Sequence, residues 1–213
     1  MTHIELSDPE TDGSTSVERA IATRESRRSF ARTPVGLDDV SQLLWAAQGI
    51  THQRDGVAMR AAPSAGATYP LVAFLETASN GVDGLDAGLY RYDPGDHDLE
   101  TTVGGTIRDD LAQAALEQDV VKGAPAIVVL TADYDRTRVQ YPDHGERYVH
   151  MEAGHAAQNV QLVGESRGLA SCPVGAFVDG DVADALDIPE RLEPLYLLPF
   201  GNRSTTDYIV DTP

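Results

Sequence analysis

A chain of 213 residues with 41% apolar side chains can bury one substantial core and is short for two ordinary domains. Its formal charge of -18, from 34 acidic against 16 basic side chains, argues against a nucleic-acid partner, which needs a cationic footprint. A single cysteine, Cys172, excludes an internal disulfide and a thiolate-rich metal site, and no apolar run reaches the roughly 18 residues of a membrane span. Residues 1–16 are polar and acidic and lack the basic start and apolar stretch of a secretory signal, so a flexible tail on a cytoplasmic protein is expected. Residues 17–213 then form a single domain. Only Lys122 is lysine and the other basic residues are arginine, which points to a halophilic source whose acidic surface stays hydrated while concentrated salt screens its self-repulsion. An ordinary acidic protein from a GC-rich genome has the same balance.

In chain order, Val17 to Arg24 has helical composition with Ser16 as its cap. A second helix starts at Asp38 and Asp39, places Leu43, Leu44 and Ala47 on one face, and stops at Gly49. Leu71 to Thr77 is a buried strand, and Leu89 to Tyr92 with His97 to Thr102 form a hairpin around Asp93-Pro94-Gly95-Asp96. Ile107 to Glu117 is helical. Ala126 to Thr131, short, apolar and β-branched, is the strongest strand and should be central. Glu146 to Gly168, free of proline and rich in small residues, is one long buried helix that another helix can approach closely. A short helix at Asp181 to Leu186 and a last strand at Leu195 to Phe200 complete an α+β pattern.

The chemistry-bearing segments are few. Gly81, Gly84 and Gly88 have the wrong spacing for a dinucleotide fingerprint, and no phosphate-binding Walker loop or serine elbow occurs. His150 and His155 lie five apart, about 140° around a helix, so they do not share a metal ion. Arg24-Glu25-Ser26-Arg27-Arg28-Ser29-Phe30 concentrates three guanidinium groups and two hydroxyls, a donor set suited to phosphate; a solvated basic turn paired to surface carboxylates has the same composition. Pro63-Ser64-Ala65-Gly66-Ala67-Thr68-Tyr69-Pro70 lets a planar ligand approach the backbone, or merely connects two elements rigidly. Cys172-Pro173-Val174-Gly175-Ala176-Phe177 offers small residues with free N–H groups, and a lone cysteine there is more often a small hydrophobe than a nucleophile.

These segments together resemble the nitroreductase superfamily of flavin mononucleotide (FMN)-dependent oxidoreductases, and within it the SagB-type dehydrogenase group. Arg24-x-Ser26-x-Arg28-x-Phe30 is similar to its N-terminal signature, with Glu25 in place of an arginine. Pro63 to Pro70 resembles the second motif, with Ala67 where many relatives carry asparagine. Gly88 to Tyr92 resembles the hairpin strand, Glu152-Ala153-Gly154-His155-x-x-Gln158-Asn159 the central helix, and Gly168-Leu169 with Pro173 to Phe177 the loop against the flavin ring. The likeness is collinear from about Ala20 to Arg203.

The resemblance implies a mainly antiparallel sheet flanked by helices in an intertwined homodimer, with FMN held between subunits. By position, Arg24, Ser26, Arg28 and Arg203 would hold the phosphate and ribityl chain. Pro63, Ser64 and Ala65 would come from the other subunit. Pro173, Val174, Gly175 and Ala176 would lie against the ring, with the Gly175 N–H facing N5. The implied reaction is ping-pong: NADH or NADPH gives hydride to the flavin, and a small electron-poor acceptor of the nitro or quinone type takes the electrons. The SagB likeness also admits oxidation of a peptide azoline, and the fold alone admits a flavin carrier without turnover. No side chain is singled out as catalytic, although His144, Arg147 and Tyr148 near the start of the long helix could face substrate or stand as surface residues.

Overall fold

The computed structural model describes residues 3–204. The chain opens with β1 (His3–Glu5), α1 (Val17–Thr23) and α2 (Leu37–Gln48). The hairpin β2 (Ile50–Arg54) and β3 (Val57–Arg60) precedes β4 (Leu71–Thr77), β5 (Gly88–Asp93) and β6 (Asp98–Gly104). Next come α3 (Arg108–Ala114), α4 (Asp119–Lys122), β7 (Ala126–Ala132), α5 (Asp135–Arg138) and the long α6 (Gly145–Ser166). The chain then passes through β8 (Leu169–Ser171) and α7 (Asp179–Leu186) to β9 (Glu193–Asn202).

Seven strands form one sheet in the order β1-β6-β5-β4-β7-β9-β8, and every ladder between neighbours is antiparallel. Successive side chains of a strand point to opposite faces, and here both faces are buried. In β7, Ala126, Val128, Leu130 and Ala132 join one core with residues of α2 and α6, while Ile127 and Val129 join a second with residues of α3, α4 and α7. The same alternation divides Leu71, Ala73 and Leu75 of β4 from Val72 and Phe74. This accounts for the continuous apolar runs in both strands and fits the α+β arrangement expected. On the second face Glu76 of β4 is fully buried, and Arg108 reaches it from the start of α3 while also donating to the carbonyls of Val121 and Ala124. A carboxylate can be buried there only because the guanidinium meets it.

One expectation is corrected, and one element appears that the sequence pattern did not predict. The start of the chain is not a loose tail: His3, Ile4 and Glu5 pair with Glu100, Leu99 and Asp98, Leu6 enters the first core, and the Glu10 N–H donates to Gln42 Oε1 at 2.8 Å. The segment after Gly49 forms the β2–β3 hairpin, turning at Asp55 (φ 52°) and Gly56 (φ 79°). Aspartate-glycine is the residue pair such a tight turn demands, but residues 51–57 are all exposed, so no inside-outside alternation marked the strands.

Candidate functional site

Helix α6 organises the site, because the segments singled out in the sequence contact it at successive levels. Near its C-terminal end, the Arg24 guanidinium donates to Gln161 Oε1 at 3.4 Å, Arg27 meets Glu165 Oε2 at 2.7 Å, and Arg203 meets the same oxygen at 2.8 Å. The Arg24 to Phe30 segment is held beside β8 and the end of β9 by the Arg27 N–H bond to the Ser171 carbonyl, the Ala31 N–H bond to the Asn202 carbonyl, and a bridge between Phe30 and Arg203. Burial pushes the Glu165 carboxyl up, but hydrogen bonds from Thr23 and Arg27 and the charges of Arg203 and Arg27 outweigh it and hold the group below the usual carboxylate range. Glu25, which stands where an arginine was expected, pairs with Arg27 at 3.0 Å. Its charge is therefore absorbed within the cluster. Arg28 is exposed and, among the described residues, neither it nor Ser26 has a hydrogen-bond or ion-pair partner.

About 18 Å up the helix from Glu165, at 1.5 Å per residue, Ala153 borders a cleft of about 500 Å3. Its other walls include Gly175, Phe177, Tyr134, His150 and Tyr196. The loop from Pro173 to Phe177 is anchored at both ends, by the Val174 and Val178 N–H groups bonding to Leu197 and Ala114, and in the middle by Gln118 Nε2 donating to the Ala176 carbonyl at 2.7 Å. The exposed N–H groups of Gly175 and Ala176 have no acceptor among the described residues. A Cβ at Gly175 would make only an ordinary contact, 3.7 Å from Tyr196, so packing does not demand glycine; its absent side chain leaves the backbone open to a flat ligand. Cys172 is 3% exposed within the second core, with Sγ 3.8 Å from the Pro173 carbonyl, and behaves as a small apolar residue.

The Pro63 to Pro70 loop meets the opposite flank of α6. Ser64 accepts the Tyr69 N–H at 2.9 Å, and Asn159 reaches the Ala46 and Ala61 carbonyls from the helix. Gly66, Ala67 and Tyr69 all take positive φ, and a Cβ on Gly66 would run into Gln140 at 2.4 Å. Ala67, at φ 53°, adopts the left-handed conformation that asparagine tolerates better than alanine. Beneath the loop Glu152 is 2% exposed, and its Oε1 has no hydrogen-bond partner among the described residues. Burial pushes its carboxyl up to about 7 against the opposing pull of Ser64 and Arg60.

The nitroreductase family profile matches residues 21–202. This chain belongs to the nitroreductase family. A candidate nitroreductase of Methanocaldococcus jannaschii is 39% identical over 187 residues, covering 88% of this chain and 91% of the relative. McbC, a microcin B17-processing protein of Escherichia coli, is 27% identical over 151 residues, 69% of this chain and 56% of McbC. Among solved structures, a candidate nitroreductase from Ralstonia eutropha superimposes with a TM-score of 0.80 at 28% identity, covering 95% of this chain and 90% of that one. The NADPH:FMN oxidoreductase of Vibrio harveyi shares the fold with a TM-score of 0.63 at 20% identity, covering 92% and 72%. The nitroreductase family is one of oxidoreductases, and in this member no helix among the described residues is long and apolar enough to cross a membrane.

Within this family member Arg24 and Arg203 lie at one end of α6, with Arg28 exposed in the same segment as Arg24, and Pro173 to Ala176 lead from there to the cleft. Ser64 lies elsewhere: it meets the helix at Glu152, about 20 Å from Glu165 along the axis. Tyr148 meets Tyr141 and His144 edge-on at the helix start, and exposed Arg147 borders a second hollow with His150. Sequence reasoning missed Gln161 and Glu165 as holders of the arginines and Tyr134 as a wall of the cleft. Partners 137 and 138 residues apart leave no signal in spacing.

Proposed function

We propose that this chain is an FMN-dependent oxidoreductase that works in the cytoplasm as a homodimer, taking hydride from NADH or NADPH and passing electrons to an electron-poor organic acceptor. The observation that carries the reading is the guanidinium of Arg28, which has no partner among the described residues, in one segment with Arg24 and the likewise unpartnered Ser26 hydroxyl, in a chain of net charge -18. Such a cation is a phosphate site by its chemistry. From Ser171, which bonds to the arginine segment, four residues lead to Gly175, a reach of at most about 13 Å. A phosphate, a five-carbon chain and a flat ring cover that distance, so the residues present fit FMN.

In this arrangement Arg24, Ser26, Arg28 and Arg203 hold the phosphate end. Pro173, Val174, Gly175 and Ala176 lie against the ring, and of these Gly175 and Ala176 have backbone N–H groups to offer it. Bound FMN supplies the atom, N5, that accepts and releases hydride. An N–H donor at Gly175 would stabilise charge developing at that edge. Pro63, Ser64 and Ala65 join the site from the second subunit, as the family resemblance implies. A partner whose α6 runs antiparallel brings them together. Two surfaces support that pairing: the outer face of α6, with Met151 52% exposed beside Gly154, His155 and Gln158, and the projecting β2–β3 hairpin.

The visible spectrum of the purified protein tests the proposal. A yellow protein that bleaches with NADH or NADPH and recovers with a nitroaromatic or quinone is expected. A colourless protein that cannot be reconstituted with FMN refutes it. The likeness to McbC favours a second reading, oxidation of a peptide azoline with electrons returned to oxygen, for which bleaching would require the azoline peptide. A bound flavin inert to every donor would instead mark a carrier.

A further inference from the structure

The cleft beside Gly175 contains a pair of side chains that the cofactor set does not use. Tyr134, 6% exposed, lies just after β7, and its hydroxyl is 2.6 Å from Nε2 of His150 on α6. The two rings meet edge to face, with centroids 5.7 Å apart and planes at 89°. The Arg138 guanidinium covers the tyrosine ring at 4.9 Å, so the phenol is fixed from two directions. Burial, with the nearby charges of Glu193 and Glu146, raises the Tyr134 hydroxyl to about 12, and it stays protonated throughout the neutral range.

His150 differs from its partner in being exposed. Its ring borders the 500 Å3 cleft and the neighbouring hollow of about 520 Å3 lined by Asp143, Glu146, Arg147 and Met151. With Nε2 tied to Tyr134, Nδ1 is the ring nitrogen left to exchange a proton with a molecule in the cleft. Phe177, Tyr196, Pro194 and Leu195 bring flat and apolar side chains to a cleft whose lining is otherwise polar, and Glu146, Asp179 and Glu193 make it negative. The flat side chains suit a planar ring, and the acids repel anions.

We propose that His150, held in place by Tyr134, is the proton donor to the acceptor, and that the acceptor is an uncharged or cationic quinone entering this cleft. The inference rests on the flavin reading above. A quinone becomes a hydroquinone by gaining two electrons and two protons. Hydride from the reduced flavin brings both electrons and one proton, leaving one oxygen anionic. The protonated imidazole breaks its Nδ1–H bond, an O–H bond forms on that oxygen, and the neutral ring regains a proton from water at its exposed edge. Tyr134 holds Nε2 throughout and is a positioning residue.

The test compares the flavin-loaded wild type with His150→Gln and Tyr134→Phe. Each is reduced with dithionite and reoxidised in stopped flow by 2-methyl-1,4-naphthoquinone or by hexaammineruthenium(III), which accepts electrons without a proton. The quinone-to-ruthenium rate ratio should fall on the order of 100-fold in His150→Gln, the lower end of general-acid contributions, and less in Tyr134→Phe, where the ring remains but is no longer held. Calorimetry provides a readout without turnover: 4-cyanophenol should bind the oxidised His150→Gln protein about tenfold more weakly than the wild type. Equal rate ratios in the three proteins, an equal fall with both oxidants, or an unchanged phenol affinity would each overturn the assignment. A protein that takes up no FMN removes the flavin reading and this proposal together, whereas one that binds flavin with equal ratios removes this proposal alone.

Discussion

Replacing Glu152 by glutamine should change how stability depends on pH. The carboxyl is 2% exposed, its Oε1 has no hydrogen-bond partner among the described residues, and burial moves it from 4.5 to about 7. Between those values the folded chain keeps a proton that the unfolded chain has given up, so stability falls as pH rises. At about 1.4 kcal/mol per pH unit, the ionised group costs the fold about 3 kcal/mol once pH exceeds 7, with the full benefit present below pH 4.5. Glutamine removes the titration but buries an amide whose N–H groups lack acceptors, a pH-independent cost of about 1 kcal/mol. Glu152→Gln should therefore be slightly less stable than the wild type at pH 5 and about 2 kcal/mol more stable at pH 8. Urea unfolding at equal protein concentration across that range measures the difference directly, and the overall acidity of the chain cancels between the two proteins. A difference that stays flat with pH would refute the account, because it would mean that the carboxyl is not kept neutral by burial.

The remaining predictions use other parts of the fold. Arg28→Ala should weaken FMN retention about ten- to a hundredfold, measured by flavin fluorescence on dilution, while exposed Arg32→Ala should leave it nearly unchanged. Glu76→Gln strands the buried Arg108 without its counter-charge and should cost about 3–5 kcal/mol in urea unfolding; a loss under 1 kcal/mol would contradict the pairing. Ala67→Asn relieves a left-handed alanine and should stabilise the chain by about 0.5–1 kcal/mol in the same assay. If the acidic surface reflects a halophilic source, the melting temperature should rise steadily with KCl to molar concentrations, and greater stability in low salt would refute it.

What could be read from the sequence was local. Ser16 as a cap, Gly49 as a stop, the apolar runs of β4 and β7 and the uninterrupted α6 depend on φ/ψ preferences and side-chain alternation within a few residues. The donor-rich segments at Arg24, Ser64 and Gly175 were visible for the same reason, since residue type alone states what a side chain can donate. The N-terminal strand escaped because its three residues carry no pattern of their own and pair with β6 more than ninety positions away. The exposed β2–β3 hairpin escaped because no face of it is buried in the chain. Which arginines are neutralised was likewise undecidable from composition: Arg27 and Arg203 share Glu165, while Arg28, one residue from Arg27, has no partner among the described residues. Charge pairing and burial are set by distance in space, and only the closing of the sheet around α6 brings those groups, and Tyr134 with His150, within reach of one another.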